Sequence, residues 1–319
     1  MSDASLPGAA EVLAAAARIA PHAALTPVLR SRELDAISGA RLSFKAEHLQ
    51  RSGAFKFRGA CNSVWALDEA QAARGVVTHS SGNHGAALAL AARSRGIPCH
   101  VVVPEGAVAA KLTNIVRHGA TLWRCEPGIA AREQRCAQVQ AETGATLVHP
   151  YADAQVIAGQ GTAALELLHA EPDLQALVVP VGGGGLAAGT ALALRQAGSS
   201  AELVLAEPEG AADTARSLAS GQRLVDFKPD TVCDGLRGIL GEPNFALLNG
   251  VAQVITVDDA AVVAAMRLLW QVLKQVVEPS SAITLAAVLA QPQRFAGRRV
   301  GLVLSGGNVD LDSLPWSRP

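Results

Sequence analysis

The chain has 319 residues, of which 50% are hydrophobic and 17% are charged, and its formal net charge at pH 7 is -1. A near-neutral chain in which acidic and basic residues are mixed is not expected to have nucleic acid or an anionic membrane as its main partner. The length suffices for a large hydrophobic core and favours two domains or lobes.

The N-terminus and the cysteines predict a cytoplasmic protein. The alanine-rich start of the chain contains Asp3 and Glu11 and has no basic segment, so it predicts a helix and not a signal peptide. No apolar run reaches the length that crosses a membrane. Five cysteines without C-x-x-C spacing are expected to be reduced thiols, and neither a zinc site nor a disulfide framework is expected.

One lysine stands in an unusual context, the stretch SGAFKFRGA at residues 52–60. Lys56 lies between Phe55 and Phe57 in a chain that contains only six phenylalanines, and glycines flank this group. A surface lysine needs neither aromatic nor small neighbours, whereas a lysine that lies against a flat ligand gains from both. The context therefore suggests a lysine that faces a ligand.

From about residue 74 the sequence alternates short β-rich runs with alanine-rich helical runs. The predicted strands are GVVTH, CHVVVP, TLWRC, TLVHP, ALVVPV, ELVLAEP and VGLVL. Strands that alternate with helices at this spacing predict an α/β fold with parallel sheets covered by helices on both faces. Sheets of this kind bind ligands at the carboxyl ends of their strands, so the loops that follow the strands are the candidates for function.

The loop after ALVVP contains Gly182, Gly183, Gly184 and Gly185 in succession before an apolar helix. Consecutive glycines leave several backbone N–H groups free to converge on an anion, and the start of the helix adds partial positive charge. We therefore expect a phosphate here. The loop lacks the residues of a triphosphate-binding loop and fits the dinucleotide fingerprint only loosely, which keeps a nicotinamide-dependent dehydrogenase open as an alternative of another class.

Two further loops after predicted strands carry polar side chains. HSSGNHG, at residues 79–85, places two hydroxyls, an amide and an imidazole at the start of a helix, where N–H groups can hold a carboxylate. SGGN, at residues 305–308, ends a strand with a hydroxyl and two glycines. Taken separately, these loops are also compatible with an ordinary helix cap and an ordinary turn.

Together, these motifs carry a family resemblance that extends over residues 52–310. The stretches are, in order, SGAFKFRGA, HSSGNHGAALA, VIAGQGTAALE, VVPVGGGGLAAG, AEPEGAAD, CDG, VEPSSA and LSGGNVD. The sequence resembles the pyridoxal-phosphate enzymes of fold type II, in the branch of the serine/threonine dehydratases and serine racemases. The resemblance implies a homodimer with a two-lobed α/β fold like that of the tryptophan synthase β subunit. A large cofactor-binding domain would combine residues 1–73 and 152–319, and a small domain would span 74–151.

The resemblance assigns cofactor-binding roles to individual residues. Lys56 would bond covalently to pyridoxal 5'-phosphate, and burial beside aromatic rings would lower the pKa of its amine and keep it nucleophilic. Asn83 would hydrogen-bond the ring hydroxyl, and Ser305 would face the pyridine nitrogen. A serine does not keep that nitrogen protonated as a carboxylate does, so the ring would be a weaker electron sink and a β-substituent would leave readily. The remaining assigned residues are Phe55 and Glu278 beside the ring and Gly182, Gly183, Gly184 and Gly185 around the phosphate.

The resemblance also implies a substrate loop and a metal site. The loop that would bind the substrate carboxylate consists of Ser80, Ser81, Gly82, Asn83 and His84. A structural role for His84 is an open alternative. Glu207, Asp213 and the carbonyl of Ala211 match an oxygen-ligand site that suits Mg²⁺ or Ca²⁺. A solvated acidic loop without a metal is the alternative at these positions.

Three positions depart from the pattern of the animal serine racemases. Ala86 stands where a glutamine is expected, and Arg124 stands where a tyrosine contacts a nucleotide, so activation by ATP is not expected. Gly238 replaces a serine near the substrate, which would enlarge the pocket.

The implied reaction is α,β-elimination of water from a 3-hydroxy amino acid such as L-serine or L-threonine, which gives a 2-oxo acid and ammonia. Lys56 would remove the Cα proton. Racemisation is the nearest alternative, because Ser81 is a candidate to protonate the opposite face of Cα. A substrate such as 3-hydroxyaspartate or 3-phenylserine is a second alternative. A nicotinamide-dependent dehydrogenase would leave Lys56 and SGGN unexplained.

Overall fold

The computed structural model describes residues 6–107 and 109–316. The strands in these ranges are β1 Val28–Leu29, β2 Arg41–Lys45, β3 Val76–Thr78, β4 Cys99–Pro104, β5 Thr121–Cys125, β6 Thr146–Leu147, β7 Ala176–Pro180, β8 Glu202–Pro208, β9 Gln253–Val257 and β10 Arg299–Val303. They form two sheets, one of six strands in the order β1-β2-β10-β7-β8-β9 and one of four in the order β5-β4-β3-β6.

Helices connect the strands and cover the sheets. They are α1 Ala9–Ile19, α2 Arg32–Ser38, α3 Lys56–Ala66, α4 Glu69–Arg74, α5 Asn83–Arg95, α6 Ala109–Arg117, α7 Ile129–Thr143, α8 Ala154–Ala170, α9 Gly185–Ala197, α10 Asp213–Ser220, α11 Glu242–Leu248, α12 Asp259–Leu268, α13 Pro279–Ala290 and α14 Pro292–Phe295. Several begin where an aspartate caps the first turn, as Asp153 does by accepting a hydrogen bond from the N–H of Val156. Within the described ranges, no helix is both long and apolar enough to cross a membrane.

The pairing of the strands confirms the predicted α/β fold. All neighbouring strands in the four-stranded sheet are parallel, and in the six-stranded sheet only β1 and β2 pair antiparallel. The four-stranded sheet takes its strands from residues 76–147, and the six-stranded sheet takes its strands from both sides of that segment. Where one domain ends and the other begins stays a prediction.

Helix α8 packs between α3 and α9 through glycines. A Cβ on Gly159 would lie 2.6 Å from the Cα of Gly59 in α3, and a Cβ on Gly161 would lie 2.5 Å from the carbonyl oxygen of Gly189 in α9. Both distances are too short for any side chain, so the three helix backbones approach one another closely. This packing fixes α3, which begins at Lys56, and α9, which follows the glycine loop, against the same helix.

A buried ion network anchors the first turn of α3. Arg58 is fully buried, and its Nη1 lies 2.7 Å from Oε1 of Glu166 in α8. Lys45, at the end of β2, donates to the other carboxylate oxygen of Glu166 at 2.5 Å. Buried charges are costly to leave unpaired, so these partners hold α3 in one position relative to β2 and α8.

Candidate active site

The carboxyl ends of strands from both sheets contribute loops to one cavity with a volume of about 330 Å³. Residues that follow β3, β6, β7 and β10 line it, together with the start of α3. The predicted cofactor and substrate residues that line this cavity are Phe55, Lys56, Ser80, Ser81, Gly82, Asn83, His84, Gly182, Gly183, Gly184, Gly185, Glu278 and Ser305. The structure therefore brings together every residue predicted to bind cofactor or substrate, while their individual roles stay predictions.

Lys56 begins α3 and faces the cavity with a perturbed amine. Its Nζ donates a hydrogen bond of 2.9 Å to the carbonyl of Pro150 and lies 5.1 Å from the centre of the Phe55 ring. Burial lowers the pKa of Lys56 to about 8, and the negative charge of Glu278 opposes this shift. About a tenth of the amine is therefore neutral, and so nucleophilic, at pH 7, far more than for a lysine of ordinary pKa.

The glycine loop between β7 and α9 forms a surface without side chains. Gly184 has a φ of +90°, which is a left-handed conformation that favours glycine. A Cβ on Gly182 would lie 2.8 Å from the Cα of Leu236, and a Cβ on Gly183 would overlap the ring of Tyr151. Backbone N–H groups at the start of α9 are thus the polar groups that this loop offers, which suits a phosphate.

Ser305 is buried at the end of β10 and has hydroxyl neighbours. Its Oγ lies 3.3 Å from Oγ of Ser281 and donates to the carbonyl of Ser280 at 3.4 Å. Ser281 in turn accepts a hydrogen bond of 2.7 Å from the N–H of Gly306, which holds this loop against α13. Ser305 therefore presents a neutral hydroxyl to the cavity, as expected for a pyridine nitrogen that is not kept protonated.

Asn83 connects the two sheets across the cavity. It begins α5 after the four-stranded sheet, and its Nδ2 donates to Oε1 and Oε2 of Glu278 at 2.9 and 3.2 Å. Its Oδ1 accepts a hydrogen bond of 2.9 Å from Nδ2 of Asn308, which follows the six-stranded sheet. Glu278 is buried and precedes α13. Both ends of the Asn83 amide are thus fixed.

His84 is buried in the substrate loop and has a backbone partner. Its Nε2 lies 3.2 Å from the carbonyl of Val148, and burial, with the nearby charge of Lys56, lowers the pKa of the imidazole well below its usual range. The ring is therefore neutral at physiological pH and packs against the chain that follows β6. This environment favours the structural role that the sequence left open.

The sequence did not indicate Tyr151, which lines the cavity, or His149, which lies two residues before it in the chain and outside the lining. His149 and Tyr151 follow β6, and their rings meet edge to face at 4.6 Å between centres. Burial lowers the pKa of His149 to about 3, so its Nδ1 accepts hydrogen bonds from the N–H groups of Tyr151 and Ala152 at 3.3 and 3.0 Å. His149 lies in the predicted strand TLVHP and Tyr151 directly follows it, and this position at the end of a strand was the signal that could have identified them.

Arg132 is a second lining residue that the sequence did not indicate. It lies in the first two turns of α7, and its Nε donates to the carbonyl of Gly128 at 3.2 Å. In the part of the chain that the structure describes, no acceptor holds its Nη groups. The other guanidinium of the cavity, Arg237, is bound through Nε and Nη2 to the carbonyl of Thr231 at 3.2 and 2.5 Å. Among the described residues, both Nη groups of Arg132 and Nη1 of Arg237 therefore remain available to a ligand.

The residues predicted to bind a metal lie outside this cavity lining and are buried. The carboxylate of Glu207 accepts from the N–H groups of Thr214 and Ala215, both at 2.8 Å, and Asp213 accepts from the N–H of Leu240 at 2.8 Å. Burial raises the pKa of Glu207 to about 7, and the charge of Asp213 contributes to the rise. The alternative of a solvated acidic loop is wrong, because both carboxylates and Ala211 are almost inaccessible to solvent.

Few protein oxygens at these residues are available to bind a metal ion. Among the described residues, no group of three or more His, Cys, Asp or Glu side chains is placed to hold a metal ion. Two carboxylates and the carbonyl of Ala211 are the oxygens that the sequence motif offers, and backbone N–H groups already use part of their capacity. Two neighbouring buried carboxylates need a positive charge as a partner, and a hard cation would supply it. The cation site stays a prediction.

Two of the three departures from the racemase pattern lie at the cavity. Ala86 is buried in α5 and lines it. A Cβ on Gly238 would lie 3.4 Å from the N atom of Gly183 and 3.4 Å from Cε1 of Tyr151, which are ordinary contact distances. A small side chain would fit there, so glycine leaves extra space beside the glycine loop.

These features fit pyridoxal phosphate. A lysine amine of lowered pKa, a loop without side chains at a helix start, a buried hydroxyl and an amide donor surround one cavity. Lys56 would hold the carbonyl carbon of the cofactor, the glycine loop its phosphate, and Ser305 and Asn83 its ring.

Comparisons with known proteins agree with this fit. The family model described as pyridoxal-phosphate dependent enzyme matches residues 19–306. The chain is 49% identical to the β-hydroxyaspartate dehydratase of Paracoccus denitrificans over 98% of this chain and 99% of that protein. It is 48% identical to the serine racemase of Arabidopsis thaliana over 93% of this chain and 92% of that protein. The structure of maize serine racemase superimposes with a TM-score of 0.94 at 44% identity, covering 98% of this chain and 97% of that one.

The resemblance identified from the motifs is thereby confirmed, and the nicotinamide-dependent alternative has no support. The chain belongs to the family of pyridoxal-phosphate dependent enzymes, and pyridoxal phosphate is its cofactor.

Proposed function

We propose that this enzyme removes water from a 3-hydroxy amino acid and releases a 2-oxo acid and ammonia. The observation that carries the proposal is the hydroxyl of Ser305, which faces the cavity that also contains the amine of Lys56. When bound, the cofactor supplies an electron sink for negative charge at Cα, and a neutral hydroxyl at its ring nitrogen keeps that sink weak. A weak sink favours rapid loss of the β-hydroxyl over a long-lived carbanion.

Different residues of the cavity would orient the substrate and remove its Cα proton. The backbone and hydroxyls of Ser80 and Ser81, at the start of α5, would orient the substrate through its carboxylate. Lys56 would then take the Cα proton, because its lowered pKa keeps a neutral amine available near pH 8. The β-hydroxyl leaves as water by taking up one proton, which balances the proton that Lys56 removes from Cα, and a second water molecule hydrolyses the unsaturated amine to the 2-oxo acid and ammonia.

Arg132 favours a substrate with a second carboxylate, and 3-hydroxyaspartate is the acid of this class that we propose. Its guanidinium lines the cavity with Nη groups that no described acceptor holds, and L-serine and L-threonine have no second carboxylate to pair with them once the loop of Ser80 and Ser81 binds the first. Burial lowers the pKa of His79, which also lines the cavity, Glu133 opposes this shift, and the positive charge of Arg132 adds to it, so Arg132 lies near His79. The printed name of the Paracoccus relative also specifies β-hydroxyaspartate.

Racemisation is the second candidate function, and it depends on Ser81. Ser81 lines the cavity, where it can serve as an acid or base on the face of Cα opposite to Lys56. The names of the Arabidopsis and maize relatives agree with this activity. We propose that it is subordinate to elimination.

A substrate panel tests the function. The purified enzyme with its cofactor is incubated with L- and D-serine, L-threonine, the isomers of 3-hydroxyaspartate and 3-phenylserine. Release of 2-oxo acid and ammonia is measured together with the enantiomers of the remaining amino acid. We expect elimination to be fastest with an isomer of 3-hydroxyaspartate. Interconversion of enantiomers faster than 2-oxo acid release from every substrate would make the protein a racemase instead.

We further propose that the enzyme is a cytoplasmic homodimer with a divalent cation near the glycine loop. The free thiols of all five cysteines support a reducing compartment, and the family resemblance supports the dimer. Light scattering of the purified enzyme measures the oligomeric state.

A further inference from the structure

We infer that Asn308 is a positioning residue for the cofactor, because it fixes the orientation of the Asn83 side-chain amide. Asn83 therefore presents its N–H₂ group, and not its carbonyl, to the ring hydroxyl of the cofactor that it would contact in the cavity. The inference concerns cofactor binding, so it does not depend on which substrate the enzyme uses.

The hydrogen bonds define the amide orientation at both ends. Nδ2 of Asn308 donates to Oδ1 of Asn83 and to the carbonyl of Ser52, at 2.9 Å in each case. An asparagine amide has one acceptor end and one donor end, so a donor that occupies Oδ1 turns Nδ2 to the opposite side. On that side Nδ2 of Asn83 reaches the carboxylate of Glu278, an acceptor.

Asn308 is itself held in place by the backbone around it. The loop that contains it pairs with the segment before Lys56, since the N–H of Gly307 donates to the carbonyl of Gly53 at 2.9 Å and Ala54 pairs with Gly306. Gly53 has a φ of +75°, and a Cβ there would lie 2.5 Å from Oδ1 of Asn308. The Asn308 amide is thus positioned before any ligand arrives.

The orientation has a chemical consequence for an acidic ring oxygen. A donor stabilises the deprotonated form of such an oxygen, whereas a carbonyl turned toward it repels that form. Aspartate at position 308 accepts but does not donate, so it would pair with Nδ2 of Asn83 and turn Oδ1 toward Glu278 and the cavity. Alanine at position 308 would remove the donor from Oδ1 of Asn83 and leave the amide held through Nδ2 by Glu278, so its effect should be smaller than that of aspartate.

The experiment measures cofactor binding and its absorbance, not turnover. Pyridoxal phosphate is removed and titrated back into the parent and the variants Asn308→Ala, Asn308→Asp, Asn83→Ala and Asn83→Ala/Asn308→Ala. We expect Asn308→Asp to raise the Kd about tenfold or more, as for a lost hydrogen bond to a charged group. The pH midpoint of the absorbance change of the bound cofactor should rise in the same variant. In the Asn83→Ala background, Asn308→Ala should change the Kd by less than about twofold, because the two residues act as one unit.

A matched exchange controls for the added charge. Asn249→Asp makes the same substitution at an exposed residue that ends α11 outside the cavity lining, and it should leave the Kd and the absorbance midpoint unchanged. If Asn308→Ala raised the Kd by the same factor in the parent and in the Asn83→Ala background, Asn308 would act independently of Asn83. That result would overturn the inference, as would a parental Kd and absorbance midpoint in Asn308→Asp. Asn308 is exposed and Asn83 is only partly buried, so all variants are expected to fold.

Discussion

Arg58 and Glu47 form an ion pair from which solvent is completely excluded, with Nε of Arg58 2.7 Å from Oε2 of Glu47. A second bond of 2.8 Å joins Nη2 to Oε1 of the same carboxylate. Arg58 lies two residues beyond Lys56 in the chain. The pair therefore ties the residue that would carry the cofactor to the segment that follows β2.

Removal of Arg58 should destabilise the protein more than removal of an exposed arginine. Arg58→Met leaves the buried carboxylate of Glu47 without its main partner, and such losses cost about 3–5 kcal/mol. Arg30→Met removes a partner of Glu171 at an exposed site and should cost less than about 1 kcal/mol. Urea unfolding of both cofactor-free variants measures the difference. Equal free energies of unfolding would show that the buried pair contributes no more than the exposed one.

Covalent capture of the cofactor should follow the ionisation of Lys56. Because burial lowers the pKa of this amine to about 8, its neutral form decreases as the pH falls below that value. The capture rate of the cofactor-free enzyme should fall about tenfold per pH unit below pH 8 and level off above it. Stopped-flow absorbance measures the rate.

Two lysine variants control this measurement. Lys56→Ala should lose the covalent bond and nearly all turnover, and exposed Lys228→Ala should behave as the parent. Borohydride reduction followed by peptide mapping identifies the labelled residue. A label on Lys274, or a rate that still rises at pH 10, would contradict the assignment of Lys56.

Removal of divalent cations should weaken the enzyme near Glu207 and Asp213. Without a cation, two neighbouring buried carboxylates repel each other, so chelation should lower the Tm and the activity, and Mg²⁺ or Ca²⁺ should restore both. Asp213→Asn retains an acceptor for the N–H of Leu240 but loses a charged ligand, and its Tm should not respond to the cation. Elemental analysis of the purified parent supplies the control. An enzyme that contains no divalent metal and keeps its Tm in chelator has no such site.

Loss of Arg132 should act selectively on an acidic substrate. Arg132→Gln should lower kcat/KM for 3-hydroxyaspartate about 100-fold and that for L-serine less than about threefold, because only the former has a second carboxylate to pair. Arg135→Gln removes a cation from the same helix outside the cavity lining and should leave both values near the parent. Equal losses for both substrates would assign Arg132 to folding or to the cofactor.

Ser81 should decide the stereochemistry. Lys56 serves one face of a planar Cα, so a proton on the other face needs a second group, and Ser81 lines the cavity. Ser81→Ala should retain much of the elimination from the L-substrate and lose interconversion of L- and D-serine. Chiral chromatography beside 2-oxo acid assays, on both enantiomers, measures the two activities. Racemisation at the parental rate in Ser81→Ala would remove this role.

The sequence predicts the parts of the site that local chemistry defines. Gly182 to Gly185, Asn83 and Ser305 each follow a predicted strand, and the carboxyl ends of parallel strands carry their loops to a common cleft. Arg132 and Asn308 were not assigned, because their importance arises only when loops from different sheets meet. The environments of Glu207 and Asp213 were also undetermined, since a sequence of mixed charge does not show which carboxylates are enclosed.

The glycine contacts of α8 set a dimension of the active site. Helix α3 carries Lys56 at its first residue, and α9 begins at the last glycine of the loop expected to hold the phosphate. Both helices touch the backbone of α8, α3 at Gly159 and α9 at Gly161, so main-chain contacts set their spacing at these points. The span between the covalent anchor and the phosphate anchor therefore depends on these main-chain contacts, together with the ion pair of Arg58 and Glu166 that also holds α3 against α8. Close packing of helix backbones thus helps to fix the distance over which the enzyme would hold its cofactor.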